Sequence, residues 1–292
     1  MTETITSLQL VDMVLGNLRD KMDNPEKHRG YEVHIPEMNE ILGGLGKNWY
    51  LVIGGEEKSG KSAFAVSLHI ALAKQGLNIM SVSLEMDNLQ YGYRMFSNMS
   101  GVELGQFHRI DVSEWEYQDL VRTGDQIAAF KGIYNYGNGH IEDVVKMVEK
   151  YNPDVLIVDY AQLMNSRKRF PNRSQELEFI SGTLKREISL NQNTLVIALA
   201  QLNKQTVQAG KTNESYGWHG SSAFGKDADV AMTISKAVDA AGEEMPEVRM
   251  CNIVASRHSA KASFYIAFIG GRSKMDASTL NVSNIDEAID SV

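Results

Sequence analysis

The run Gly55-Glu-Glu-Lys-Ser-Gly-Lys-Ser62, set between an apolar stretch and an amphipathic one, leaves few folds open to this chain. It matches G-x-x-x-x-G-K-[ST], in which successive backbone N–H groups turn toward an anion at the positive end of the helix that follows. Residues 49–54 read as a buried strand entering the loop, and residues 62–73 as the helix leaving it. Such a strand–loop–helix unit belongs in an open α/β sheet, with its ligand beyond the carboxyl ends of the strands. Gly55, Glu56, Glu57, Lys58, Ser59, Gly60, Lys61, Ser62 and Ala63 are therefore the expected nucleotide-binding set. Lys61 is placed to reach the β- and γ-phosphates and the Ser62 hydroxyl to hold Mg²⁺, which makes ATP and Mg²⁺ the expected cofactors.

Strand and helix patterns alternate from Trp49 onward. Apolar runs at 78–84, 132–136, 154–159 and 194–200 are separated by helical patterns at 88–99, 114–130, 141–151 and 174–190. The rhythm then changes to strands at 229–235, 247–256 and 263–269 joined by short connections. The pattern predicts a mainly parallel sheet flanked by helices, extended by antiparallel C-terminal strands. Residues 166–173 and 203–222 read as mobile loops. Ahead of this domain, Leu8, Val11, Val14, Leu15, Leu18 and Met22 recur at helical spacing over 7–22, followed by a polar linker to Gly30. That helix must bury its apolar face, either on its own domain or on a neighbouring subunit.

Composition excludes rather than identifies. One cysteine, Cys251, rules out an intramolecular disulfide and is compatible with a reducing cytoplasm. No apolar run approaches the roughly 18 residues of a membrane span. A net charge of −8 argues against coating nucleic acid with the whole surface and leaves a local basic channel open.

Three polar residues end apolar strands, where an α/β sheet places its chemistry. Asp159 closes 154–159 and is suited to the Mg²⁺ shell. Glu85 follows 78–84; it can polarise an attacking water, or simply complement the dipole of the next helix. Gln201 closes the strand 194–200, either as a γ-phosphate sensor or as an ordinary polar strand end.

The strings Ser83-Leu-Glu-Met86, Asp154-Val-Leu-Ile-Val-Asp-Tyr-Ala-Gln-Leu-Met164, Val196-Ile-Ala-Leu-Ala-Gln-Leu-Asn203 and Lys226-Asp-Ala-Asp-Val230 occur in that order. Together with the phosphate loop they resemble the motifs of DnaB-type replicative helicases over roughly residues 35–270. The resemblance implies a RecA-like P-loop ATPase core that assembles as a homo-oligomeric ring, normally a hexamer, around single-stranded DNA. It implies ATP-driven 5′-to-3′ translocation and unwinding during replication, with a primase or helicase loader as further partners and no membrane. It assigns Lys61 and Ser62 to phosphate and Mg²⁺, Glu85 as the catalytic carboxylate, Asp159 to the metal and Gln201 to coupling. Arg257, ending the strand 252–257, takes the place of the trans-acting arginine finger.

Two departures stand out. The lysine usual two residues before that arginine is Ala255, a loss that Lys261 can make good. The DNA-facing loop reads His219-Gly-Ser-Ser-Ala223 where the family has Arg-Glu-Ser-Gly-Ser. The expected DNA contacts are thus Lys204, His219, Gly220, Ser221 and Ser222, with Lys211 and Arg167-Lys168-Arg169 as further positive charge, unless the last is only a solvated loop. The expected organisation is a linker helix and flexible linker at 1–30, the motor domain at 31–270 and a tail at 271–292. The alternative reading is a RecA-like recombinase or regulatory ATPase that does not unwind DNA.

Overall fold

Helices and strands form where the local chemistry asks for them, and the computed structural model describes residues 4–202, 223–239 and 241–277. Helix α1 (Ser7–Asp23) starts at a capping box in which the Thr6 side chain accepts from Gln9 N and the Gln9 side chain returns to the Thr6 amide. None of its residues is buried, and Leu8 and Met22 are 71% and 73% exposed. Among the described residues, then, the apolar stripe is not folded back on its own domain. The polar stretch after it is more ordered than the sequence suggests. Helix α2 (Pro25–His28) follows at once, and Asn24, Lys27 and His28 all converge on the Asp20 carboxylate.

Helix α3 (Pro36–Leu42), too short for periodicity to reveal, is bounded by Pro36 in its first turn and by Gly43 at φ 69° after its last. The phosphate-loop unit follows as β1 (Tyr50–Gly55) and α4 (Lys61–Ala73). Then come β2 (Ile79–Ser83), α5 (Asn88–Ser100), α6 (Leu104–Arg109), α7 (Glu114–Ala128), β3 (Gly132–Tyr136), α8 (Ile141–Tyr151) and β4 (Val155–Asp159). Helix α9 (Arg173–Thr183) continues into a π-helical segment, Leu184–Leu190. The remaining strands are β5 (Leu195–Gln201), β6 (Val230–Val238), β7 (Glu244–Ser256), β8 (Ala262–Ile269) and β9 (Lys274–Asp276).

One nine-stranded sheet results, in the order β3-β2-β4-β5-β1-β6-β7-β8-β9. Pairing is parallel from β3 through β6 and antiparallel from β6 to β9, as the change of rhythm predicts. Alternation sorts β1 between two cores: Leu51 and Ile53 pack with Phe64 and Leu68 of α4, whereas Tyr50 and Val52 pack on the face covered by α8 and α9. Burial on both faces is why these strands read as continuous apolar runs. In β6 to β8 only Met232, Ile234, Cys251, Ile253, Phe264 and Ile266 enter the core shared with α4, together with Val230. Burial there pushes the Cys251 thiol well above its ordinary range.

The sheet runs past the boundary set at 270. Met275 of β9 is fully buried, its N–H donates to Ser67 Oγ at 3.1 Å, and its carbonyl meets His34 Nε2 at 2.7 Å. Three residues are too few to show strand alternation, which is why the segment reads as tail. The predicted mobile loop at 166–173 is tied down instead. Ser166 N donates to Glu176 Oε1 at 2.8 Å, and Arg173 Nη2 donates to the Gln162 and Met164 carbonyls at 2.7 and 2.6 Å.

His69, on α4, gives the core a pH dependence. Its Nδ1 lies 3.0 Å from both Ser81 Oγ and Tyr91 Oη, and its ring stacks on Tyr134. Burial holds its pKa down to about 4. The folded chain therefore binds fewer protons than the unfolded one between about pH 6.5 and 4. This contribution is whole above about 6.5 and fades as the pH falls toward 4, a loss of about 3 kcal/mol. Urea unfolding at pH 7 and 4.5 is expected to show that extra acid loss in the native chain and not in His69→Gln.

Candidate active site

The phosphate loop is shaped by positions where only certain residues fit. Gly60 sits at φ 99°, and a β-carbon there would collide with Met275. A β-carbon on Gly55 would press on Ser59 Oγ and on the Ile234 carbonyl. From the side, Arg249 of β7 donates through Nε to the Ser59 carbonyl at 2.8 Å and lies over the Phe268 ring at 4.0 Å. Lys61 Nζ donates to the carbonyls of Gly55 (2.9 Å) and Glu56 (2.6 Å), so its charge is held within the loop. Burial lowers its pKa, against the raising pull of Asp159, Glu85, Glu57 and Glu56.

Strand register gathers the remaining chemistry at the same carboxyl ends of the parallel strands. Gly55 pairs with Gln201, and Ser83 pairs with Asp159. Leu84 N donates to the Asp159 carbonyl at 2.7 Å, which sets Glu85 just above Asp159. Lys61, Ser62, Glu85 and Gln201 line one cleft of about 710 Å³, together with Glu57, Lys58, Gly60 and Ala63 of the loop. Asp159 lies beside Ser62 next to this cleft, 3% exposed, with Oδ2 buried and lacking a hydrogen-bond partner among the described residues. Burial lifts its pKa to about 6; the Ser62 hydroxyl opposes that rise and Glu85 adds to it. A buried carboxyl whose ionisation is resisted, beside a serine hydroxyl, fits the donor set of a hard divalent cation.

Several lining residues have no role assigned from the sequence. Arg94, Tyr160, Phe268 and Ser273 all face the cleft, and Arg94 Nη1 donates to Ser273 Oγ at 3.1 Å. Arg94 lies about two turns into α5, and only the fold brings it, with β8 and β9, to the cleft over α4. Gln162, which stands in the string 154–164 with no role assigned from the sequence, lies nearby. Its Oε1 accepts from Gln201 N and its Nε2 donates to Gln201 O, both at 3.1 Å, which fixes the backbone of the expected coupling glutamine.

Arg257 lies elsewhere. β6 runs parallel to β1 and β7 runs back, with Leu51 paired to Val230 and Val230 to Ser256. Arg257 therefore sits beside the amino end of β1, whereas the phosphate loop leaves its carboxyl end. There its N–H donates to the Asp229 carbonyl at 2.9 Å, and its side chain is 60% exposed. Asp229 also accepts from Tyr50 N at 2.7 Å and pairs with Lys185 at 2.5 Å.

The expected DNA contacts Lys204, His219, Gly220, Ser221 and Ser222, with Lys211, lie outside the described residues. The basic cluster at 167–169 is partly spoken for: Arg167 forks onto Asp143 at 2.5 and 2.7 Å, and Lys168 lies over the Phe179 ring.

Comparison with known proteins bears on the fold and the family. The family described as DnaB-like helicase C terminal domain matches residues 30–277. A probable plasmid replicative DNA helicase of Chlamydia psittaci is 26% identical over 211 residues, covering 68% of this chain and 45% of that protein. The replicative DNA helicase DnaB of Leifsonia xyli subsp. xyli (strain CTCB07) is 26% identical over 245 residues, covering 78% of this chain and 51% of that one. The chain thus spans about half the length of these relatives. Among solved structures, one described as an ATPase domain superposes with a TM-score of 0.81 at 18% identity, covering 91% of this chain and 98% of that one. A DnaB-like replicative helicase described with its primase interactions gives 0.78 at 18%, covering 94% and 67%. At such identity the two structures speak for the fold, which is the RecA-like arrangement expected from the sequence.

Proposed function

Because the chain belongs to the DnaB-like helicase C-terminal domain family, we propose that it is the ATP-hydrolysing motor of a replicative DNA helicase. In this reading it works as a head-to-tail ring, normally of six subunits, moving 5′ to 3′ on single-stranded DNA in the cytoplasm. The observation that supports it is a separation: Lys61, Ser62, Glu85 and Gln201 line one cleft with Asp159 beside Ser62 at the carboxyl ends of the parallel strands, and Arg257 sits at the opposite end. A second subunit docked head to tail would bring its Arg257 to the first one's cleft.

The chemistry then follows from the residues. Loop N–H groups and the α4 amino end bind the phosphates, and Lys61 exchanges the Gly55 and Glu56 carbonyls for phosphate oxygens. Glu85 orients a water against the γ-phosphorus, and the bond to the β,γ-bridging oxygen breaks to release ADP. Ser62 and Asp159 would hold Mg²⁺, which supplies charge neutralisation at the phosphates. Arg257 stabilises the charge on the transferring group from the neighbour's side. Gln201, its backbone clamped by Gln162, passes the state of the site to the segment that begins at Asn203, whose Lys204, His219, Gly220, Ser221 and Ser222 contact DNA phosphates.

Docking of α1 on an adjacent subunit closes the ring in this reading, and its wholly exposed apolar face supports that role. One structural neighbour is a helicase described with its primase interactions, and a primase or loader is proposed as a further partner here as well.

ATP hydrolysis measured against protein concentration, with and without circular single-stranded DNA, tests the proposal. The rate per subunit is expected to climb with concentration and to rise again with DNA, and a forked duplex is expected to open. A rate indifferent to both would point to a regulatory ATPase, and ordered filaments on DNA without unwinding would point to a recombinase.

A further inference from the structure

The turn that carries Arg257 is pinned from three sides, and one of the pins is aromatic. Ser256 Oγ accepts from the N–H groups of His258 and Ser259, each at 3.0 Å, which closes the turn on itself. The Arg257 N–H donates to the Asp229 carbonyl, which ties the turn to the start of β6. Finally, the His258 ring lies flat on the Trp49 indole, with centroids 4.1 Å apart and planes 6° from parallel. Trp49 itself is seated: its N–H donates to the Gly46 carbonyl at 3.1 Å, and a β-carbon on Gly46 would collide with the indole Nε1. The Arg257 side chain has weaker support, with Nε 3.9 Å from Asp229 Oδ1. A long exposed arginine is free among many rotamers, so the backbone beneath it must supply the aim.

We infer that the Trp49–His258 stack is a positioning element for Arg257, fixing the turn from which it reaches toward a second copy of this chain. The inference rests on the trans role proposed for Arg257 and adds residues that the motifs do not mark. It also has a directional consequence. Trp49 precedes the strand β1 that ends in the subunit's own phosphate loop. The stack therefore joins the finger offered to one neighbour to the loop that receives the finger of the other.

The test compares Trp49→Ala, Trp49→Phe, His258→Ala and Gly46→Ala with the native chain and with Arg257→Ala, at protein concentrations where the oligomer is formed. Misplacing a catalytic group by about 1 Å costs up to a hundredfold. For Trp49→Ala, His258→Ala and Gly46→Ala, kcat is expected to fall about ten- to hundredfold. KM for ATP, affinity for a fluorescent ATP analogue and oligomer size stay native. Trp49→Phe, which keeps a ring to stack, restores most of the rate. Added to Arg257→Ala, none of these changes lowers the rate further. If His258→Ala, on the exposed side of the stack, turns over at the native rate while Arg257→Ala is dead, the positioning role is wrong and the finger stands. If Arg257→Ala is itself fully active, the finger assignment fails and takes this inference with it.

Discussion

Arg257→Ala is expected to lower kcat by about a thousandfold or more, the range lost with other arginine fingers, and to leave ATP affinity nearly unchanged. The decisive experiment is mixing. Lys61→Ala chains alone lack the proposed phosphate-binding cation, and Arg257→Ala chains alone lack the proposed finger. At a mixed interface one partner gives Lys61, Glu85 and Asp159 and the other gives Arg257, so one class of site is whole. Activity that appears only on mixing two dead variants establishes the shared site. If both stay dead when mixed while native and mutant chains still co-assemble, Arg257 does not act across the interface.

Glu85→Gln removes the group proposed to orient the attacking water and keeps its shape. General-base catalysis is typically worth about 10²–10⁴-fold, and kcat is expected to fall within that range. Binding should survive, since Lys61, Ser62 and the loop amides are untouched. The site then stays loaded with ATP, and if ATP draws the interfaces together the variant holds its oligomer longer than the native chain does. Size-exclusion chromatography in ATP, followed over the time native protein takes to exhaust it, measures this. A variant hydrolysing at the native rate would return Glu85 to its other reading, a carboxylate complementing the amino end of α5.

The sequence made legible what is local or periodic. The phosphate loop, the parallel strand interiors and the switch to antiparallel pairing follow from apolar runs buried on both faces and from short connections after Asp229. The rim positions Glu85, Asp159 and Gln201 were legible because parallel strands put their carboxyl ends together. Hidden from it were contacts between residues far apart in the chain. Arg249 under the loop, Arg94 beside the cleft, Gln162 on the Gln201 backbone and His258 on Trp49 depend on which strands become neighbours. Short elements also escaped. In α3 and β9 a cap or a pairing partner decides the structure, and no period has room to show.

If Arg257 acts on a neighbour's cleft, Lys61 and Arg257, at opposite ends of the central strands, would give each subunit half of two different sites. In such a head-to-tail contact a pair of chains has one complete site and two idle halves. An open row has one complete site fewer than it has members. Closing the row into a ring recovers the missing one, so turnover per chain counts the ends of the assembly as well as its amount. A row that opens to admit a DNA strand would fall silent at one interface only, and that silent interface would mark the gate.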